Sequence, residues 1–217
     1  MEIIAVANQK GGVGKTTVTM QLAAALARRA AVLVVDVDRQ QSTVWWAENA
    51  AVALPFDFAG NQNPKMLRRL KDLRTTYDYV LVDTPGSLED TDVLGSVLDA
   101  ADFVVVPLTP EPLAVEPTMR TLGRLIEPRH LRYAVLLNRI DPRIPSQPPV
   151  WEELLDTTFG VPRFASHLRQ YRAHAEAPVL GSLVTTMTRT RRSRNMVDDI
   201  THVSDELAAH LAPALVR

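Results

Sequence analysis

The 217-residue chain contains no cysteine. That excludes a disulfide scaffold, a thiolate metal site, an iron–sulfur cluster and a cysteine nucleophile. Long apolar runs are also missing, since none approaches the ~20 residues that cross a bilayer. The N-terminal MEIIAVANQK has no basic n-region, long apolar stretch or small-residue cleavage site, so a soluble cytoplasmic protein is expected. Repeats and low-complexity tracts are wanting as well; the proline-rich DPRIPSQPP at 141–149 reads as a loop. Lysine is scarce, four against 20 arginines, and two of the four, Lys10 and Lys15, stand five residues apart. A net charge of −1 argues against a histone-like protein, but it is an uneven average. Residues 1–162 carry 16 basic and 20 acidic side chains, residues 163–194 carry seven arginines against Glu176, and residues 195–217 are acidic again.

What is present is an alternation of strands and helices. Five β-branched apolar runs, IIAVA (3–7), AVLVV (31–35), YVLV (79–82), FVVVP (103–107) and YAVLL (133–137), read as strands buried on both faces of a parallel sheet. Helical spacing links Val18, Leu22, Ala25 and Leu26; Met66, Leu67, Leu70 and Leu73; Val93, Leu94, Val97 and Leu98; and Met119, Leu122, Leu125 and Ile126. Further helices are predicted around 150–158 and 195–211, with a strand near 161–165. The pattern predicts an α/β, doubly wound, mostly parallel sheet flanked by helices. No linker stands out, so residues 1–217 are read as a single domain. Ligands in such folds bind outside the carboxyl ends of the strands. Asn8, Asp36, Asp38, Asp83 and Asn138 end these runs, either as ordinary loop polar residues or as parts of one site.

Residues 10–17, KGGVGKTT, lie between the first strand and the first helix. Gln9 stands where the general phosphate-loop pattern G-x-x-x-x-G-K-[ST] has its first glycine. The physics still holds. Gly11, Gly12, Val13 and Gly14 can curl their N–H groups into an anion nest, completed by Thr16 and Thr17 at the positive end of the helix. Lys15 supplies charge to the β- and γ-phosphates and Thr16 offers its hydroxyl to Mg²⁺. Asp83 is the natural partner of that Mg²⁺, usually through water. The loop Thr84, Pro85, Gly86 reads as a γ-phosphate sensor.

KGGVGKTT resembles the deviant Walker A motif of the ParA/MinD family of P-loop ATPases. VDVDRQQS (35–42) is similar to the family's V-D-x-D-P-Q segment, and LVDTPG (81–86) to its Walker B. The likeness covers most of residues 1–140, and the short length looks most like the small ParA proteins, of which ParF is one type. The resemblance implies ATP and Mg²⁺ as cofactors and an ATP-dependent sandwich homodimer in which Lys10 reaches the partner's phosphates. It also implies that Asp38 orients the attacking water, that Asp36 lies near the Mg²⁺ shell, and that Asn138 and Arg139 occupy the adenine-reading position. Arg39 departs from the family's proline. With Lys15, Thr16, Asp38 and Asp83 kept, the expectation is slow hydrolysis stimulated by a partner.

Arg189, Arg191, Arg192 and Arg194 crowd six positions. Arginine clusters suit phosphate contacts, though a solvated face paired with nearby acids such as Asp198 and Asp199 gives the same pattern. In the small ParA proteins this region implies dimer-dependent, sequence-independent DNA binding. The function implied is a nucleoid-associated ATPase that partitions or positions cargo (plasmid, chromosome or protein compartment) with an adaptor protein. Two alternatives stand beside it. A MinD-like membrane switch needs a basic amphipathic tail, whereas DDITHVSDELAAHLAPALVR is acidic. Metabolic ATPases of amidoligase or synthetase type generally lack a lysine at the position of Lys10.

Overall fold

The computed structural model describes residues 1–50, 52–86, 91–187 and 191–212. The strands are β1 (Glu2–Val6), β2 (Val32–Asp36), β3 (Asp57–Gly60), β4 (Tyr79–Asp83), β5 (Phe103–Leu108), β6 (Arg132–Ile140) and β7 (Leu168–Arg169). They form one sheet in the order β3-β2-β4-β1-β5-β6-β7, with every pairing parallel. Continuous apolar strands make sense here because both faces are covered. Ile4, Val6, Val34, Leu81, Val105 and Leu136 join one core layer, and Ile3, Ala5, Leu33, Val35, Val80 and Val104 the other. Period-two alternation divides each run between the layers.

The helices are α1 (Lys15–Leu26), α2 (Ser42–Glu48), α3 (Pro64–Leu67), α4 (Thr91–Ala100), α5 (Pro112–Thr121), α6 (Gln147–Glu153), α7 (Arg172–Glu176) and α8 (Arg191–Leu211). Helix α1 is alanine-rich, free of internal glycine and proline, and buried on nearly every side, because it lies between the sheet and α8. Helix α8 is tied to that layer by Arg29, which pairs with Asp205 at 2.6 Å, and by Glu206, whose carboxylate accepts the N–H groups of Ala165 and Ser166.

Several expectations are corrected. The helix read across Met66–Leu73 is two short pieces, α3 and a 3₁₀ turn at Leu70–Leu73. The strand near 161–165 is only a single bridge between Arg163 and Val135, and the true edge strand β7 follows it. The helix around 150–158 begins at Gln147 and ends in a wide turn, Leu154–Phe159, stopped by Gly160 at φ 62°. β3, α2 and α7 went unpredicted.

Register places the site. Val6 and Asp36 both lie opposite Asp83, so three adjacent strands end level with one another. The phosphate loop and the Asp36, Asp38 and Asp83 carboxylates sit on that edge.

Candidate phosphate and nucleoside site

The loop after β1 is pinned before it curls. Asn8, fully buried, donates through Nδ2 to the Pro107 carbonyl at 2.9 Å and to Thr118 Oγ1 at 2.8 Å. Its Oδ1 accepts the N–H of Lys10 at 2.9 Å. Asn8 is thus a brace of the loop. Gly12 and Gly14 follow at φ 80° and 89°, the left-handed region that side chains resist. Gly14 has a second constraint, since a Cβ there would stand 2.5 Å from Asn138 Nδ2. Lys15 opens α1 and is buried, with Nζ 3.4 Å from the Lys10 carbonyl. Burial pushes its ammonium below the ordinary lysine value, while Asp83 and Asp38 pull it back up. Among the described residues the Lys10 ammonium makes no hydrogen bond or ion pair.

Beside the loop lies a cavity of about 530 Å³ lined by Gly11, Gly12, Gly14, Lys15, Thr16 and Asp38, together with Arg39, Pro85, Gly86 and Arg139. Gly86 is held close: a Cβ there would meet Lys15 Nζ at 2.9 Å. Thr84 is buried, its hydroxyl donating to the Val6 carbonyl at 2.8 Å.

The carboxylates divide their roles. Asp83 is fully buried at the end of β4, and its Oδ2 accepts the hydroxyls of Thr16 and Thr43, each at 2.7 Å. Its Oδ1 is buried and has no hydrogen-bond partner among the described residues. Burial pushes the acid up to about 6, with the two hydroxyls and Lys15 opposing. Asp36, level with Asp83 on the neighbouring strand, spends both carboxylate oxygens on backbone N–H groups. Oδ1 accepts the N–H of Asp38 at 2.9 Å, and Oδ2 accepts those of Thr43 and Val44 at 3.0 and 3.2 Å. It fixes the loop carrying Asp38 and the first turn of α2. Asp38 is half-buried at the cavity and accepts the N–H of Gln40 at 2.9 Å. Thr43, which sequence reasoning missed, holds the inner side of Asp83.

These residues fit a magnesium ion that arrives with its nucleotide. Thr16 donates its proton to Asp83, which leaves the hydroxyl lone pairs available to a cation. The orphaned Asp83 Oδ1 is an acceptor that a metal-bound water would satisfy. Among the described residues no group of three or more His, Cys, Asp or Glu is placed to hold a metal. Phosphate oxygens and water would complete the shell, as a hard, strongly hydrated cation prefers.

A second cavity, of about 360 Å³, adjoins the first across Gly14 and Arg139, which line both. Leu168, Ala175 and Ile200 supply apolar wall, and Thr17, Gln21, Asn138 and His174 are also at its surface. Asn138 donates through Nδ2 to the Val13 carbonyl at 2.7 Å and accepts the N–H of Arg139 at 2.9 Å. Arg139 sits at φ 60°, beside a register shift between Asn138 and Ile140.

The basic segment is brought together only in part. Arg163 pairs with Asp156 at 2.8 Å, Arg172 with Glu176 at 2.6 Å and Arg169 with the nearly buried Asp199 at 2.5 Å. Arg191, Arg192 and Arg194 open α8, and Arg194 is exposed. Arg189, and Pro213 and Arg217 of the tail, lie outside the described residues.

A glycine nest, a buried lysine, a threonine–aspartate pair and a level row of strand ends define a P-loop nucleotide-binding protein. The family model for the CobQ/CobB/MinD/ParA nucleotide-binding domain matches residues 4–212, and the chain belongs to that family, among its ParA/MinD-type P-loop ATPases. Over 205 residues it is 40% identical to maintenance of carboxysome distribution protein A of Gloeobacter kilaueensis, covering 94% of this chain and 93% of that protein. It is 29% identical to the protein of the same name from Halothiobacillus neapolitanus, over 94% of this chain and 95% of that one. In fold it is similar to the MinD cell division protein of Aquifex aeolicus, with a TM-score of 0.79 and 20% identity over 98% of this chain and 99% of that one.

Proposed function

We propose that the protein is a ParA-type positioning ATPase whose ATP-bound dimer holds DNA non-specifically, and whose cargo is a protein compartment handled through an adaptor. The observation that carries the ATPase part is the convergence of Lys15, Thr16 and Asp38 on one cavity with Asp83 directly behind Thr16. Lys10 and Lys15 bring positive charge to bound phosphates, and the nest orients them. Mg²⁺ would be held by Thr16 and, through water, by Asp83, and when bound it supplies charge neutralisation between the β- and γ-phosphates. Asp38 orients the attacking water, with Asp36 holding the Asp38 loop in place. Lys10, whose ammonium has no partner among the described residues, is the residue available to a second copy.

The choice of a compartment over a plasmid or chromosome rests on the carboxysome-distribution relatives, whose matches run nearly end to end in both chains. Nucleoid association follows from DNA binding by Arg189, Arg191, Arg192 and Arg194. Three of these open α8 against its own dipole, an arrangement disfavoured unless an anion compensates. No helix among the described residues is long and apolar enough to cross a membrane.

The test is solution mass and ATP turnover, measured together. With ATP and Mg²⁺ the wild type is expected to become a dimer that turns over slowly. Lys15→Ala should do neither, and Lys10→Ala should bind ATP yet stay monomeric. A wild type that remains monomeric with ATP, or that hydrolyses rapidly alone, would contradict the proposal.

A further inference from the structure

The two lysines outside the phosphate loop, Lys65 and Lys71, fall in one short stretch, PKMLRRLKDLR at 64–74. Arg68, Arg69 and Arg74 join them there, and Asp72 is the one acid of the stretch. It folds as α3 and the 3₁₀ turn Leu70–Leu73, on the face of the sheet opposite α1 and α8. Leu67 and Leu70 are buried in that layer, whereas all five basic residues are exposed. Arg69 pairs with Asp72 at 2.9 Å. Among the described residues Lys65, Arg68, Lys71 and Arg74 make no ion pair. The stretch is also anchored where it begins. The Asn61 N–H donates to the Asp36 carbonyl at 2.9 Å, Gln62 Nε2 donates to the Asp38 carbonyl at 3.2 Å, and Asn63 Oδ1 accepts the N–H of Lys65 at 3.0 Å.

We infer that the exposed face of residues 64–74 is a second contact for the phosphate backbone of DNA, on the other side of the sheet from the arginines that open α8. The inference rests on the DNA-holding reading given above. Four unpaired cations held side by side repel one another, and a polyanion relieves that repulsion while releasing its own counterions. Guanidinium groups suit phosphate oxygens in particular, and the exposed Thr75 and Thr76 add neutral donors of the kind that hold a DNA backbone. A lipid surface fits less well. It needs bulky apolar side chains beside the basic ones, and Met66 is the one large apolar side chain exposed in the stretch, because Leu67 and Leu70 face the core.

Fluorescence anisotropy of a sequence-unrelated DNA duplex, with ATP and Mg²⁺ across a salt series, tests the contact. The double variant Arg68→Gln, Lys71→Gln is expected to bind about tenfold more weakly at low salt, and to lower the log–log salt slope by about two per bound protomer. The exchange Arg68→Lys, Lys71→Arg keeps the charge and should keep both values, which separates loss of charge from loss of fold. Arg28→Gln, Arg124→Gln removes the same charge from exposed positions elsewhere and should have little effect. Undiminished affinity in the first variant, or an equal loss in the Arg28, Arg124 control or in the charge-preserving exchange, would overturn the inference while leaving DNA binding in place. So would a first variant that keeps its DNA affinity but no longer binds phosphatidylglycerol vesicles held by the wild type. A wild type that binds no DNA with ATP would overturn the DNA reading and this contact together.

Discussion

Asp83 is where stability and function pull against each other. A fully buried carboxyl held up to about 6 keeps a proton in the folded protein that the unfolded chain releases near its usual value of 3.8. Between those values the folded state binds more protons, so stability falls as pH rises through the window and levels off above it. The full effect is on the order of 3 kcal/mol. Melting of the nucleotide-free wild type should therefore fall in temperature from pH 4.5 to 7, and Asp83→Asn should flatten that slope. The same variant should lose the extra stabilisation that Mg²⁺ adds to ATP. A wild-type melting temperature that rises over this range would refute the assignment. The residue scale was also the most legible one in sequence. Lys15, Thr16 and Asp83 could be placed because a local motif and a strand end fix them. Thr43 could not, because its role arises from a contact between segments far apart in the chain.

At the scale of elements, the buried parallel strands were readable from their apolar runs, whereas β3, α2 and β7 were not. β3 is a mostly exposed edge strand of four residues, too short to carry a periodic signal. α2 has seven residues, and its first turn is fixed by Asp36, which accepts the N–H groups of Thr43 and Val44. Tertiary capping of this kind leaves no local trace. α2 also carries Trp46, fully buried, whose Nε1 donates to the Ser182 carbonyl at 3.2 Å. That contact joins the Asp38 loop region to the segment leading into α8. Trp46→Ala is expected to cost about 3–5 kcal/mol in urea denaturation, the usual range for emptying such a site. A loss below about 1 kcal/mol would mean that α2 is not held by this anchor.

Over the whole molecule, the structure redraws the charge asymmetry seen in the sequence. Arg163, Arg169 and Arg172 are answered by Asp156, Asp199 and Glu176, so much of the apparent basic segment is internally balanced. On the proposed DNA-binding reading, the arginines at issue lie at the start of α8, the helix that also supplies Ile200 to the cavity of about 360 Å³. Arg194→Glu should lower DNA affinity at low salt and reduce the log–log salt slope by about one, while Arg172→Ala should change neither. Equal effects from both would assign the binding to diffuse charge instead. The central claim, a nucleotide-gated hold on DNA, is tested most directly by retention of the protein on sequence-unrelated DNA with ATP and Mg²⁺ or with ADP. The account predicts retention of the wild type with ATP alone, and none for Lys15→Ala. Equal retention with ADP, or undiminished retention of Lys15→Ala, would contradict it.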